Sequence, residues 1–283
     1  MRLFHLDSHA SSVLRYSDLP TNAIEITVKA SFMSIEIYRQ YRRALKAAPF
    51  NGKFMDYGWG NIPESVDLLW SPYVQMFGEF SRELANIINE LTRYTHQLSA
   101  WRELVGPLDD RKKIDLLVNF INPLATLAIN MPYVIRSRFI FATAHLSHQA
   151  NRTKLGVAWK DEFPLDGEVY FAVADAHSKG WRGYKSLKKK MERIGAKGFQ
   201  QSTNDFRNAY NHRFSPRIEL GMTQLLMRNV QTDGSVIYAF GGVYPLQLKL
   251  IVTLLETQCQ HCYETFEAFR LLVEEQVAAI SSH

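Results

Sequence analysis

The sequence predicts a mainly α-helical protein with one small β-hairpin. Three observations carry that prediction. Apolar residues recur every three or four positions over several long stretches. A single strong turn signal, Asp233-Gly234, separates two runs suited to strands. Apolar residues make up 46% of 283 residues, which supplies enough side chains for a sizeable core.

Taken in order, Asn22 to Ala48 places Ile24, Val28, Phe32, Ile35, Tyr38, Tyr41 and Leu45 at helical spacing and ends at Ala48-Pro49. Residues 1–62 read as an extension with this one helix, packed on a main domain over 63–283. Tyr57-Gly58-Trp59-Gly60-Asn61 is glycine-rich, but no strand precedes it and no Gly-Lys-Ser/Thr follows, so it reads as a connector. From Pro63 to Trp101 a stripe including Leu69, Tyr73, Phe77, Leu84, Ile88, Leu91 and Leu98 predicts a long amphipathic helix broken near Pro72. Asp109 and Asp110 open a further helix through Leu127, which Asn130-Met131-Pro132 should interrupt before another runs to about His148.

The pattern weakens around 151–180, which reads as an insertion with one short helix. Trp181, Tyr184, Leu187, Met191 and Ile194 then form a helical stripe, with Gly195 and Gly198 ending it. Ser202 and Asp205 resemble a capping pair for a short helix from about Thr203 into the motif, which Pro216 stops soon after. The hairpin falls near 218–240, and Pro245 opens a last long helix whose stripe runs from Leu248 to Ile280.

Charge is concentrated. Lys179, Arg182, Lys185, Lys188, Lys189, Lys190, Arg193 and Lys197 face one acid, Glu192, so this segment carries more positive charge than the whole chain, whose net charge is +5. The rest of the chain is slightly acidic, which points to an anionic partner at one place. Trp181, Tyr184 and Phe199 could stack on bases if exposed; the plain alternative is a solvated helix face.

The two cysteines, Cys259 and Cys262, share one helical turn and read as buried thiols rather than a disulfide or a metal site with His261. His96, His145 and His148 lie in apolar helices with no carboxylate cluster nearby in sequence, and read as packing histidines. No metal and no cofactor is expected. The apolar runs Ile121 to Ile129 and Leu246 to Leu255 are interrupted before a membrane-spanning length, and the N-terminal residues lack the apolar centre of a signal peptide, so a cytoplasmic location is expected.

The chemistry-bearing segment is Arg207-Asn208-Ala209-Tyr210-Asn211-His212. A histidine moves protons near neutral pH, and a guanidinium can hold a phosphoryl group with two hydrogen bonds. Arg-x4-6-His occurs at Arg2/His9, Arg138/His145 and Arg207/His212, where about two matches are expected by chance. Only the last has a polar setting. On a helix Asn208 and His212 share one face, Arg207 and Asn211 the next, so arginine and histidine meet on one phosphate if the helix ends there or if a two-fold dimer pairs two copies.

This motif in a mainly helical chain resembles the HEPN superfamily, the higher eukaryotes and prokaryotes nucleotide-binding domains. Arg207, Asn208 and His212 match its Arg-x4-6-His motif with a polar residue after the arginine. The longer run Asp205 to Arg213, with Phe240-Gly241-Gly242 before a long helix, resembles an uncharacterised bacterial branch. The resemblance implies a HEPN-like helical bundle and a dimeric, metal-independent endoribonuclease of a toxin or defence system, with an antitoxin protein as a further partner.

In that mechanism a ribose 2′-OH attacks its own phosphodiester. His212 acts as general base or acid, Arg207 stabilises the phosphoryl oxygens, and Asn208 orients the histidine or binds phosphate. Asp205, Tyr210 and Asn211 support them, Asp205 by holding the Arg207 guanidinium. Family toxins carry a tyrosine shortly after the histidine where this chain has Arg213-Phe214, which leaves Tyr210 to supply that hydroxyl. Lys179, Arg182, Lys185, Lys188, Lys189, Lys190, Arg193, Arg213 and Arg217 are the expected RNA contacts. The alternatives are a non-catalytic RNA- or nucleotide-binding module and a protein-interaction scaffold.

Overall fold

The structure, a computed structural model, describes residues 35–60 and 67–282. It is mainly α with one small antiparallel hairpin, as expected. A helix described over 35–47 (α1) is followed by α2 (Ser71–Val105), α3 (Asp110–Leu116), α4 (Asn122–Ala150) and α5 (Arg152–Leu155). Then come α6 (Phe171–Ser178), α7 (Tyr184–Arg193), α8 (Lys197–Ser202), α9 (Phe206–His212), β1 (Leu226–Val230), β2 (Val236–Phe240) and α10 (Leu248–Ser281). The part of the first predicted helix before residue 35 lies outside the described residues.

The three long helices α2, α4 and α10 pack on one another and form the core, with α6 against α4 and α7 against α10. Their predicted stripes are the buried faces. Tyr73, Leu84, Ile88 and Leu98 of α2, Ile135 and Phe139 of α4, and Leu255, Phe266 and Phe269 of α10 are all buried. Each such aliphatic or aromatic side chain contributes about 1.5–3 kcal/mol.

A buried polar chain registers the layers. Tyr73 Oη donates to Gln276 Oε1 at 3.0 Å, Gln276 Nε2 to Ser147 Oγ at 2.9 Å, and Ser178 Oγ to the same oxygen at 2.8 Å. It ties together α2, α10, α4 and α6, and every member needs its partner because an unpaired buried polar group costs about 1–3 kcal/mol.

The described part of the N-terminal segment packs on this core. Tyr41 of α1 stacks on Trp101 with ring centroids 4.0 Å apart, and Trp59 packs edge-on against Phe77 and Phe266. Asn89 accepts from the Met55 N–H at 2.6 Å and donates to the Met55 carbonyl at 3.0 Å, as a neighbouring strand would.

Several expectations are corrected. Pro72 begins α2 instead of breaking it, since the missing N–H costs nothing in a first turn. Pro132 does not interrupt the next helix: α3 runs through one π-helical turn, Leu117–Ile121, into α4, with Pro132 inside. The local cost of about 3 kcal/mol is outweighed by burial of Ile129, Ile135, Phe139 and Leu146 on the same helix. As a result Asp110–Ala158 is one helical stretch containing a window long and apolar enough to cross a membrane by length and composition alone; its centre is the core helix α4. The last helix begins at Leu248, after Pro245, with the Leu248 N–H donating to Glu219 Oε1.

The histidines are also placed differently. Segment 151–170 folds back over α4, bringing Asp161 Oδ1 to 2.8 Å from His148 Nε2 and Asp166 Oδ1 to 3.5 Å from His145 Nε2. His177 joins them across Phe163. Carboxylates therefore do meet these histidines, but from the stretch where the sequence pattern weakens. Among the described residues no three such side chains are arranged to hold a metal ion. Cys259 and Cys262 are buried thiols, and burial pushes both above the ordinary thiol range.

Candidate anion-binding cleft

The motif is displayed by two short helices, α8 and α9, that follow α7. Leu187, Met191 and Ile194 bury the inner side of α7, and the chain turns at Gly195, whose φ of +58° suits glycine. The Gly195 N–H donates to Gln258 Oε1 at 2.8 Å. Arg136 Nη1 donates to the carbonyls of Ile194 at 3.2 Å and Gly195 at 3.5 Å. Phe199 anchors α8 beside Tyr133.

Asn204 and Asp205, both left-handed at φ 51° and 53°, then reverse the chain into α9. The predicted start at Thr203 is thus displaced: Ser202 ends α8, and Asp205 makes no side-chain cap. Phe206 and Ala209 are buried, which leaves Arg207, Asn208, Tyr210, Asn211 and His212 exposed. Helix α9 ends at His212, well before Pro216.

That ending is one of the two conditions under which arginine and histidine could meet. Arg207, Asn208, Asn211 and His212 line one cleft of about 460 Å³, together with Tyr133, Arg136 and Lys197. The Arg207 guanidinium lies over the Tyr133 ring, 4.8 Å from its centroid. Burial lowers the affinity of Arg136 for its proton, and the nearby Arg207 charge acts in the same direction. Two like charges held beside one ring, with Lys197 on the same wall, make a place where an anion relieves repulsion.

Asp205 is the single carboxylate of the lining, and it is engaged. Its Oδ1 accepts from Gln200 at 2.7 Å, and its Oδ2 from Asn208 at 2.8 Å and Arg213 at 3.2 Å. The Gln200 and Asn208 hydrogen bonds, then the Arg213 charge, hold its carboxyl below the usual range.

Two expected roles are corrected here. Asp205 does not hold Arg207; Tyr133 does, and Asp205 pairs with Arg213 because the left-handed turn aims it along α9. Asn208 donates to Asp205, and no hydrogen bond joins it to His212. Tyr210 stacks on Phe206 and lines the neighbouring grooves rather than this cleft.

The basic segment is partly neutralised by acids that lie elsewhere in sequence. Lys188 pairs with Asp175 at 2.7 Å, Arg193 with Glu264 at 2.8 Å, Lys190 with Glu264 at 3.6 Å, and Arg182 with Glu275 at 3.5 Å. Among the described residues Lys179, Lys185, Lys189 and Lys197 have no such partner, and of the segment only Lys197 lines the cleft. Trp181, Tyr184 and Phe199 are buried, so they cannot stack on bases. Arg213 and Arg217 line a separate groove with Tyr210 and Phe214.

Sequence reasoning missed Arg136 and Tyr133. Two cations, Arg136 and Arg138, shortly after Pro132 in an otherwise apolar run were the available signal. Against family models, curated proteins and solved structures, the chain shows no match.

Proposed function

We propose that the chain is a metal-independent endoribonuclease acting by 2′-OH attack, of the kind its motif resembles in the HEPN superfamily. The observation that carries this reading is the single cleft in which Arg136, Lys197 and Arg207 accompany Asn208 and His212. Internal attack by a ribose hydroxyl needs no added nucleophile. The protein's tasks are to bind the phosphate, move one proton and stabilise the charge on the phosphoryl oxygens. Arg207 and Arg136 do the last, and His212, exposed at the helix end, moves the proton. The products are a 2′,3′-cyclic phosphate and a 5′-OH end.

A homodimer and a toxin or defence role belong to the same proposal. Support for a second copy comes from the hairpin end, where Phe214, Tyr238, Phe240 and Tyr244 are 80%, 62%, 93% and 71% exposed. At about 200 Å² per ring the exposures of these aromatics sum to roughly 600 Å², below the approximately 800 Å² each partner contributes to a stable interface, so neighbouring exposed side chains such as Leu225 and Leu226 have to supply the rest. The same surface suits an antitoxin.

One observation favours a non-catalytic RNA- or nucleotide-binding module instead: Asn208 donates to Asp205 and not to His212, which has no orienting hydrogen bond among the described residues. The test is incubation of wild type, Arg207→Ala and His212→Ala with structured and single-stranded RNA in EDTA, with mapping of product ends. Cyclic phosphate ends from wild type alone support the nuclease. RNA bound intact by all three supports the binding module, and loss of activity in chelator refutes the metal-independent mechanism.

A further inference from the structure

A second cavity adjoins the cleft and shares two of its residues. Arg207 and Asn211, neighbours on one face of α9, line both. The second, about 790 Å³, runs between α9 and the first turns of α4 and is walled by Asn122, Leu127, Asn130, Val134 and Tyr210.

Its chemistry differs from that of the cleft. Arg207 is the only charged residue in the lining. Leu127, Val134 and Tyr210 are 50%, 43% and 54% exposed, which leaves apolar surface on both walls. Two carboxamides supply polarity between them. Asn130 Nδ2 donates to the Thr126 carbonyl at 2.8 Å, which leaves its oxygen as an acceptor; Asn122 Oδ1, shielded from solvent, has no donor among the described residues, so that side chain gives up no hydrogen bond in turning toward a ligand.

A ligand matching this groove is flat, apolar on its faces and able to hydrogen-bond at its edge, and it carries its negative charge at the Arg207 end. We propose that the groove is a nucleobase subsite, with Tyr210 as the stacking platform and Asn122 and Asn130 reading the base edge. This rests on the phosphate reading of the adjoining cleft: one nucleotide spans both, with its phosphate at Arg207 and its base against Tyr210. Carboxamides suit the role because each offers both a donor and an acceptor. Aromatic stacking accepts any base, so sequence preference comes from Asn122 and Asn130.

The experiment compares a fluorescent 2′-O-methylated hexaribonucleotide, which has no attacking hydroxyl, with a 2′-O-methylated ribose-phosphate hexamer of equal charge that lacks all its bases. Binding to the full chain is followed by anisotropy in EDTA. The variants are Leu127→Trp, which fills the groove from an exposed position, and Tyr210→Ala, which removes the platform.

Wild type is expected to bind the intact oligomer at least tenfold more tightly than the abasic one, from one stacked base. Either variant should shrink that difference while leaving abasic affinity unchanged. If wild type binds both oligomers equally, or both variants keep the full difference, the subsite is overturned and the phosphate cleft stands. If neither oligomer binds, the cleft reading fails and the subsite falls with it.

Discussion

Replacing Gly195 by alanine is expected to destabilise the protein and loosen the cleft, whereas the same change at Gly198, three residues on, should stabilise it. Gly195 has φ +58°, and an added Cβ would sit 3.0 Å from Tyr133 Cδ1 and 3.2 Å from Cε1. The left-handed conformation costs a non-glycine residue about 1–2 kcal/mol. Crowding against a buried ring adds about 1–3 kcal/mol, and restricting the unfolded chain returns about 0.4–1 kcal/mol. The net expectation is a loss of about 2–4 kcal/mol.

Tyr133 is also the ring under the Arg207 guanidinium, so moving it displaces the cation of the cleft. Gly198 lies within α8 with nothing inside 4 Å of its added Cβ, and alanine there should gain about 0.5–1 kcal/mol. Urea unfolding of the three proteins measures both signs, and the abasic hexamer reports phosphate binding. A Gly195→Ala protein as stable as wild type, with unchanged anion affinity, would refute the coupling of the Gly195 turn to the Arg207 site.

Two further outcomes are expected. Burial lowers the pKa of His145 and His177, so between their folded values and the unfolded value of about 6.5 the unfolded chain binds more protons. Stability should therefore decline as pH falls from 7 through that window, before the depressed carboxyls of Asp175 and Asp205 begin to titrate. The double change His145→Phe and His177→Phe should flatten the decline between pH 7 and 5.5, as followed by thermal unfolding; an unchanged slope would assign it elsewhere. For the basic segment, changing Lys179, Lys185 and Lys189 together to glutamine should lower the salt dependence of RNA binding by about 2 in log–log slope, at about 0.7 per phosphate contact. Lys188→Gln should leave the slope unchanged, because that ammonium is held by Asp175.

Much of the architecture is legible in the sequence, because helix burial follows a period that local spacing records. The stripes of α2, α7 and α10 and the Asp233-Gly234 hairpin appear where their patterns place them. The two proline readings fail for different reasons. Pro72 sits in a first turn, where its missing N–H costs nothing, a local matter; Pro132 stays inside a helix because of the packing of α4 against α2 and α10, which local signals do not record.

The candidate site divides in the same way. Sequence alone determines that Arg207, Asn208 and His212 lie on one short polar segment beside a strongly basic one, since those are matters of order and spacing. Tertiary structure decides which charges are available. Asp175, Glu264 and Glu275 arrive from α6 and α10 to neutralise half of the basic run, while Arg136 and Tyr133 arrive from α4 to complete the cleft. An electrostatic site depends on distances in space, and residues some 70 positions apart along the chain meet there only because the helices that carry them share one core.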